Sequence, residues 1–152
     1  MSLKAIMQDL AVQQVAVRDV NPQVFNAPNL PNALETAHLP CRMLFSGDVN
    51  GLSAEGAFVA LGILRAVTFQ ITDLFFWQAV AQGIGRSDVE VYLKEYIDNY
   101  ILMLRDWRDA GQAQAHVTGF RFDVNRLNYP LDSDRWFWGV ASLIKVEEFY
   151  PT

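Results

Sequence analysis

The most constraining feature of the sequence is a helix signal from Ser87 to Gly111, with strand-like sequence on both sides of it. Ser87 and Glu90 have the spacing of a capping box, in which each side chain accepts a hydrogen bond from the other residue's backbone N–H. Gly111 supplies the left-handed residue that often ends a helix. Apolar residues recur between them at helical spacing: Val89, Leu93, Tyr96, Ile97, Tyr100 and Leu104. We therefore expect a helix that covers one face of a sheet.

Composition narrows the class of protein. A chain of 152 residues that is 51% hydrophobic and 19% charged predicts one globular domain, residues 1–152, with a substantial core. A net charge of −5 without any Lys/Arg cluster argues against binding to nucleic acid through its phosphates. The single cysteine, Cys41, excludes an internal disulfide and suits a reducing interior. Polar residues interrupt the apolar run 57–80, so we expect no membrane span, and the polar N-terminus predicts no signal peptide.

The first 40 residues predict a short helix followed by a long crossing. Residues 2–14 are amphipathic at helical spacing. Residues 21–40 are rich in Pro and Asn, which interrupt regular structure and turn the chain, so we interpret them as an irregular crossing with one helical turn near 33–37. Loops of this length are usually functional or packed against something. A connector held to its own surface and a segment that binds a partner both remain open.

The remaining segments alternate apolar and polar residues as strands do. We predict strands at 42–46, 116–124 and 136–149, with a loop at 48–56 and a turn at 128–134. The segments 58–64 and 65–77 are either two strands or one long bent hairpin. Alternation fails from Leu74 to Trp77, which predicts either burial of both faces or a β-bulge. The predicted fold is α+β: a mainly antiparallel sheet of about four to five strands, with an N-terminal and a central helix packed on one face.

Candidate catalytic and metal-binding residues are few. His38 and His116 have no ligand at metal-site spacing, so we interpret both as ordinary surface histidines. Cys41 follows Pro40 without the context of a nucleophile, and a small buried apolar role is the better interpretation. We expect no catalytic residue, no cofactor and no metal.

The acidic pairs and the glycine pair also have ordinary structural interpretations. Asp132 and Asp134 lack the glycine and glutamate of a calcium loop and predict a solvated turn. Glu147 and Glu148 point to opposite faces of a strand and cannot share a site. The segment 83–85 lacks the lysine and longer glycine pattern of a phosphate loop, and predicts a hinge or turn.

Aromatic residues raise the question of what covers the sheet. Trp136 and Trp138 share one face of the last strand and Phe137 takes the other, so both faces carry large apolar groups. A sheet wet on one side does not have this pattern, so we expect the outer face to be covered by a helix or by another subunit. An aromatic-lined ligand pocket is the alternative. The residues that we expect at a subunit or partner interface are Leu39, Phe45, Phe75, Trp77, Trp136 and Trp138.

The order of segments resembles the tail-terminator and head–tail joining (neck) proteins of long-tailed bacteriophages and prophages. The matching features are a Pro-rich crossing that ends in Leu39-Pro40, a long strand at 65–77, a central helix at 87–109 and a closing strand that begins Trp138-Gly139. The resemblance spans most of the chain and rests on element order rather than on a signature motif.

The resemblance implies a non-enzymatic virion structural protein. Members of that family form hexameric rings that stop growth of the tail tube and join the tail to the capsid connector, with DNA only as passing cargo. It implies assembly in the bacterial host cytoplasm, docking to tail-tube or head-connector proteins, and no membrane partner. The net charge of −5 is compatible with a lumen that repels phosphates. Two other classes remain open: a small-molecule binding module or enzyme with an aromatic-lined pocket, and a non-viral adaptor that binds its partner through the crossing.

Overall fold

A computed structural model describes residues 3–26, 29–47, 54–59, 63–109, 115–130 and 133–149. Its two α-helices are α1 (Leu3–Ala11) and α2 (Arg86–Asp109), and a short 3-10 turn spans Thr36–His38. The strands of the described residues are β1 (Gln23–Asn26), β2 (Cys41–Ser46), β3 (Ala54–Val59), β4 (Ile63–Ala79), β5 (Ala115–Asn128) and β6 (Trp136–Phe149).

These six strands form one mixed sheet in the order β1-β2-β4-β6-β5, and β3 also pairs with β4. The predicted α+β class is confirmed, but the prediction of four to five antiparallel strands is not exact, because β1 pairs in parallel with β2. Parallel neighbours require a long crossover connection, and the chain between Asn26 and Cys41 provides it. The sequence hides β1 because it is only four residues long and lies among Pro and Asn residues.

Strands β2 and β3 pair with the same edge of β4, one after the other. Ser46 is the partner of Ile71 and Ala54 is the partner of Phe69, so the described parts of the two strands are almost in line. The hydroxyl of Thr72 donates a hydrogen bond of 2.7 Å to the carbonyl of Gly47 at the end of β2. The predicted loop 48–56 is therefore too long, since residues 54–56 belong to β3, while residues 48–53 lie outside the described residues.

Helix α2 is confirmed, but its start differs from the predicted capping box. Because the helix begins at Arg86, Ser87 already lies inside it. The carboxylate of Asp88 accepts a hydrogen bond of 2.7 Å from the backbone N–H of Gly85, which is half of a capping box placed two residues earlier. Glu90 instead forms ion pairs with Arg86 and Lys94, one turn away on each side. The predicted helix end at Gly111 lies outside the described residues.

Both helices pack on one face of the sheet, as predicted. This helix-side core contains buried residues from α1, α2 and the alternate positions of β2, β4 and β6. Tyr96 of α2 stacks on Phe75 of β4, with ring centroids 3.9 Å apart and planes 6° from parallel. Other buried members of this core are Ile6, Leu10, Leu44, Ile71, Leu93, Trp107, Trp138, Val140 and Ile144.

The opposite face carries a second apolar cluster over one half of the sheet. We call it the outer cluster: Leu34, Cys41, Met43, Leu74, Phe76 and Phe137. Leu30 and Leu39 of the crossing pack against it, and the hydroxyl of Tyr129 donates a hydrogen bond to the carbonyl of Pro31. The expected cover of this face by a helix or another subunit is therefore corrected, because the chain's own crossing covers the apolar half.

Three register shifts interrupt the described sheet, and the first of them, between Ala57 and Phe58, leaves Arg65 of β4 as an extra residue. Register shifts between Phe76 and Gln78, so Trp77 is the extra residue, and both faces are buried there as well. A further shift between Val117 and Gly119 makes Thr118 the extra residue of β5. The broken alternation in β4 thus has both of its predicted causes.

Candidate functional site

The described residues contain a fully buried ion pair between the helices and the sheet. Arg42 of β2 and Asp73 of β4 both have 0% of their side chains exposed. The guanidinium donates from Nη2 at 2.6 Å and from Nε at 3.1 Å to Oδ2 of the carboxylate. Neither strand can turn these side chains to solvent, because their neighbours Leu44, Ile71 and Phe75 face the helix-side core.

Two further groups complete the hydrogen bonding of this pair. The hydroxyl of Tyr100 donates a bond of 2.7 Å to Oδ2 of Asp73, and the guanidinium lies over the Tyr100 ring at 5.6 Å. Nη1 of Arg42 donates a bond of 2.7 Å to the carbonyl of Gln13, just after α1. The network therefore joins four parts of the chain: the end of α1, β2, β4 and α2.

Burial and charge shift the protonation of these groups strongly. Burial alone would lower the pKa of Arg42, but the Asp73 carboxylate beside it raises the pKa above its ordinary value. Burial raises the pKa of Tyr96 and Tyr100 well above 10.0, and the negative charge of Asp73 raises it further. Arg42 is therefore a permanent cation, and both phenols are neutral at physiological pH.

The network cannot contact a substrate, and its role is to hold the fold together. Arg42, Asp73 and Tyr100 are all 0% exposed, so a ligand cannot reach them without opening the core. A buried pair of this kind adds little net stability over apolar residues, but losing one partner is costly. The Arg42–Asp73 pair was not predicted from the sequence. Its signal there is that opposite charges occupy core-facing positions of two neighbouring strands.

A different kind of surface lies along β5, which is the edge of the sheet. A groove of about 320 Å³ runs between the second half of α2 and β5. Ile101 and Phe120 line it and are 38% and 51% exposed, large fractions for such apolar side chains. Leu104 and Val117 form its floor with less exposure.

The outer side of the same strand is polar. A depression of about 540 Å³ is lined there by Gln70, Arg121, Leu143 and Lys145, and Phe120 stands on its border. Arg121 forms an ion pair of 2.7 Å with Asp123 two positions along β5. The outer face of the sheet is therefore divided into an apolar half under the crossing and a solvated half beside β5.

The structure places the six expected interface residues in different surroundings. Phe75 (0% exposed) and Trp138 (6% exposed) are used inside the helix-side core and have no surface to offer a partner. Leu39, Phe45 and Trp77 are half-buried against the chain's own clusters. Trp136 is 45% exposed at the start of β6 and is the one of the six that is largely open. As an interface the set stays a prediction, and Phe120 and Ile101 were not in it.

The residues examined for metal or nucleophilic chemistry have structural roles where they are described. His38 accepts a hydrogen bond of 2.9 Å at Nδ1 from the backbone of Glu35, and its ring meets Phe25 edge-on. Cys41 is buried in the outer cluster, and burial raises the pKa of its thiol to about 12. Among the described residues, no three potential metal ligands lie together. The side chain of His116 lies outside what the structure describes.

None of the helices in the described ranges combines the length and the apolar character needed to cross a membrane. Comparison of the chain with known proteins found no match to a family model and no match among curated proteins.

Proposed function

We propose that this chain is a structural subunit that assembles with copies of itself into a ring, as a tail-terminator or head–tail joining protein of a long-tailed phage or prophage. The element order supports the proposal: a helix, a crossing that ends in Leu39-Pro40, paired strands, a central helix and a final hairpin. In this role the chain acts by docking to tail-tube or head-connector proteins, and it performs no catalysis.

The observation that carries the proposal is the exposed apolar groove beside an edge strand. β5 is 14 residues long and pairs with β6 on one side only, within the described sheet. The unpaired N–H and C=O groups of a long edge strand can pair with a strand of another chain, and monomeric proteins usually protect such edges. Here only the bulge at Thr118 interrupts the edge, and Phe120 and Ile101 add apolar surface next to it. In the proposed ring, a second copy covers this groove with a different surface, and such a head-to-tail contact closes into a ring when the rotation between copies returns to its start.

The aromatic residues favour this proposal over an aromatic-lined ligand pocket. Phe75 stacks on Tyr96, and Tyr100 meets Phe122 edge-on. The rings of Trp77 and Tyr92 pack together with their centroids 5.2 Å apart. These rings fill the helix-side core by packing on one another. The two grooves beside β5 carry a single exposed aromatic residue, Phe120, between them.

The experiment tests whether the groove beside β5 holds the assembly together. Phe120→Lys places a cation next to Arg105 and Arg121, so burial of this surface against a second copy becomes unfavourable. We expect association to weaken at least tenfold, measured by analytical ultracentrifugation. Val91→Lys is the matched control, since Val91 is 63% exposed on the first half of α2, away from the groove residues.

The proposal predicts rings in negative-stain electron micrographs of the parent chain and of Val91→Lys, and their loss in Phe120→Lys. Circular dichroism verifies that all three chains are folded. A parent chain that is monomeric at every concentration, alone and with tail-tube protein, would contradict the proposal. An assembly that Phe120→Lys leaves intact would contradict the assignment of the groove.

A further inference from the structure

The chain reverses direction after α1 at a turn whose backbone is strained. Arg18 and Asp19 both have positive φ, 52° and 61°. Val17 and Val20 close the turn with two backbone hydrogen bonds of 2.9 and 3.0 Å. Two central residues with positive φ are the pattern of a type I′ turn, which favours Asn-Gly, because a Cβ crowds the backbone in this conformation. The sequence has Arg-Asp there, so surrounding contacts hold the turn.

Polar contacts with α2 hold the segment before this turn. We call residues 3–17 the N-terminal arm. The carbonyl of Ala16 accepts a bond of 2.8 Å from the Asn99 amide, and the Asp9 carboxylate accepts one from the indole N–H of Trp107. The arm therefore runs antiparallel to α2, and its contacts are with elements far away in the sequence.

The turn itself is fastened to the same helix. The backbone N–H of Arg18 donates a bond of 3.2 Å to the carboxylate of Glu95, and the guanidinium lies 5.1 Å from the centre of the Tyr92 ring. Both contacts are made by exposed or half-buried groups, which solvent can replace at little cost.

The N-terminal arm contributes its own set of contacts to the helix-side core. Its helix buries Ile6, Met7 and Leu10 against the rest of the chain, and Arg42 binds the carbonyl of Gln13. An arm from a second copy would make each of these contacts again without change. Only the turn must differ, and opening it to an extended chain removes its strain and directs the arm away from its own domain.

We propose that the N-terminal arm is exchanged between copies in the assembled protein, with Arg18 and Asp19 as the hinge. The arm of one copy then packs along α2 of its neighbour. This inference rests on the proposed function, because exchange needs an assembly. The exchanged and closed forms share the contacts of residues 3–16 with the rest of the domain. Exchange breaks the two Val17–Val20 backbone hydrogen bonds, whose groups can bond to water in an extended hinge, and it relieves the backbone strain at Arg18 and Asp19, so the strain relief favours exchange.

The experiment links the arm of one copy to α2 of another. One chain carries Ala16→Cys and a differently tagged chain carries Asn99→Cys; the two are co-expressed, and the purified assembly is treated with a short bis-maleimide cross-linker. Cys41 does not interfere, because it is buried. We expect a covalent heterodimer that carries both tags. Replacing Asn99→Cys by Val91→Cys, two turns away along α2, is expected to abolish the product.

A hinge variant tests the role of strain. R18N/D19G fits the closed turn without strain, so we expect about tenfold less cross-linked heterodimer from chains that carry it. A single chain that carries both Ala16→Cys and Asn99→Cys is the positive control, because it shows whether the cross-linker can span the distance between these two positions. An assembly that yields only linkage within single chains would overturn arm exchange and leave the proposed function standing. Light scattering on the same sample separates this result from a monomeric chain, which would overturn both.

Discussion

Gly139 lies so close to the neighbouring strand that a larger residue does not fit. A Cβ built at this position would overlap the carbonyl oxygen of Phe75 and lie 3.0 Å from a methyl group of Leu127. The Trp-Gly pair that contributes to the family resemblance therefore has a packing reason. The glycine lets β4 and β6 approach beside the bulge at Trp77.

Gly139→Ala is expected to lower the free energy of unfolding by about 3 kcal/mol, because the strands must move apart to admit the methyl group. Gly119→Ala is the matched control: a Cβ there would have no atom within 4 Å, and its φ is not positive. We expect this change to cost less than about 1 kcal/mol. Urea unfolding of both variants measures the difference, and equal losses would contradict the account.

The two buried tyrosines of α2 differ in what their hydroxyls contact. Tyr100 donates a hydrogen bond of 2.7 Å to Asp73, whereas the hydroxyl of Tyr96 has Arg42 and Ser142 as polar neighbours without a well-formed hydrogen bond. Tyr100→Phe should therefore cost about 1.5–3 kcal/mol of unfolding free energy, the usual loss for a bond to a charged group. Tyr96→Phe should be close to neutral, because it removes a buried hydroxyl that makes no well-formed hydrogen bond. Thermal or urea unfolding at neutral pH checks this order, and the reverse order would refute it.

Helix α2 illustrates what local pattern predicts well and where it fails. Its apolar face from Val89 to Leu104 followed from spacing alone, because 3.6-residue periodicity is local, and the start predicted from Ser87 is one residue from the observed start at Arg86. The cap did not follow from spacing, since Ser87 and Asp88 both suit the start of a helix and only the backbone around Gly85 selects between them.

The crossing illustrates the limit of composition. Its Pro and Asn residues predicted an irregular segment, and the 3-10 turn lies near the predicted position. Composition could not show that Leu30, Leu34 and Leu39 would pack on the sheet, because that contact joins residues far apart in sequence. The surface around Phe120 was missed for a related reason: an edge strand is defined only when the order of all strands is known.

The Arg42–Asp73 pair fastens α1, β2, β4 and α2 to one another, and a double-mutant cycle measures how far it does so. Arg42→Met leaves the Asp73 carboxylate buried without its cation, so we expect a loss of about 3–5 kcal/mol. Asp73→Leu should cost a similar amount. The double variant R42M/D73L should lose far less than the two single losses together, because no unpaired charge remains. Additive losses would show that the pair has no coupling and would contradict its structural role.

Within the described residues, the chain's own elements cover the helix-side core and the outer cluster, whereas the surface beside β5 stays open. The helices cover one face, and the crossing covers the outer cluster. Contacts between copies are therefore not needed to complete this core, and in the proposed assembly they would lie at the β5 edge of the sheet. Trp136 and Phe120 are about half exposed in the single chain. Assembly would bury them further and so change the environment of their side chains.

Buried tyrosines make the whole fold sensitive to alkali. In the unfolded chain Tyr96 and Tyr100 ionise near pH 10, whereas burial keeps them protonated in the folded state above that pH. The unfolded state then loses protons that the folded state retains, so the stability contributed by the two neutral phenols is complete below pH 10 and falls above it. Each tyrosine contributes about 1.4 kcal/mol per pH unit. Cys41, whose pKa is raised to about 12, adds a loss that begins near pH 9.

Urea unfolding from pH 8 to 11.5 measures this slope. Tyr96→Phe should remove one phenol's share of it while leaving stability at pH 8 nearly unchanged. Stability that is independent of pH above 10 would contradict the buried, neutral state of both phenols.

The mass of the purified chain in solution tests self-assembly most directly. Light scattering over a range of concentrations, with and without tail-tube protein, is predicted to give a closed ring, with six times the 17.2 kDa of one chain as the expected mass. A particle of 17.2 kDa under every condition would contradict the account.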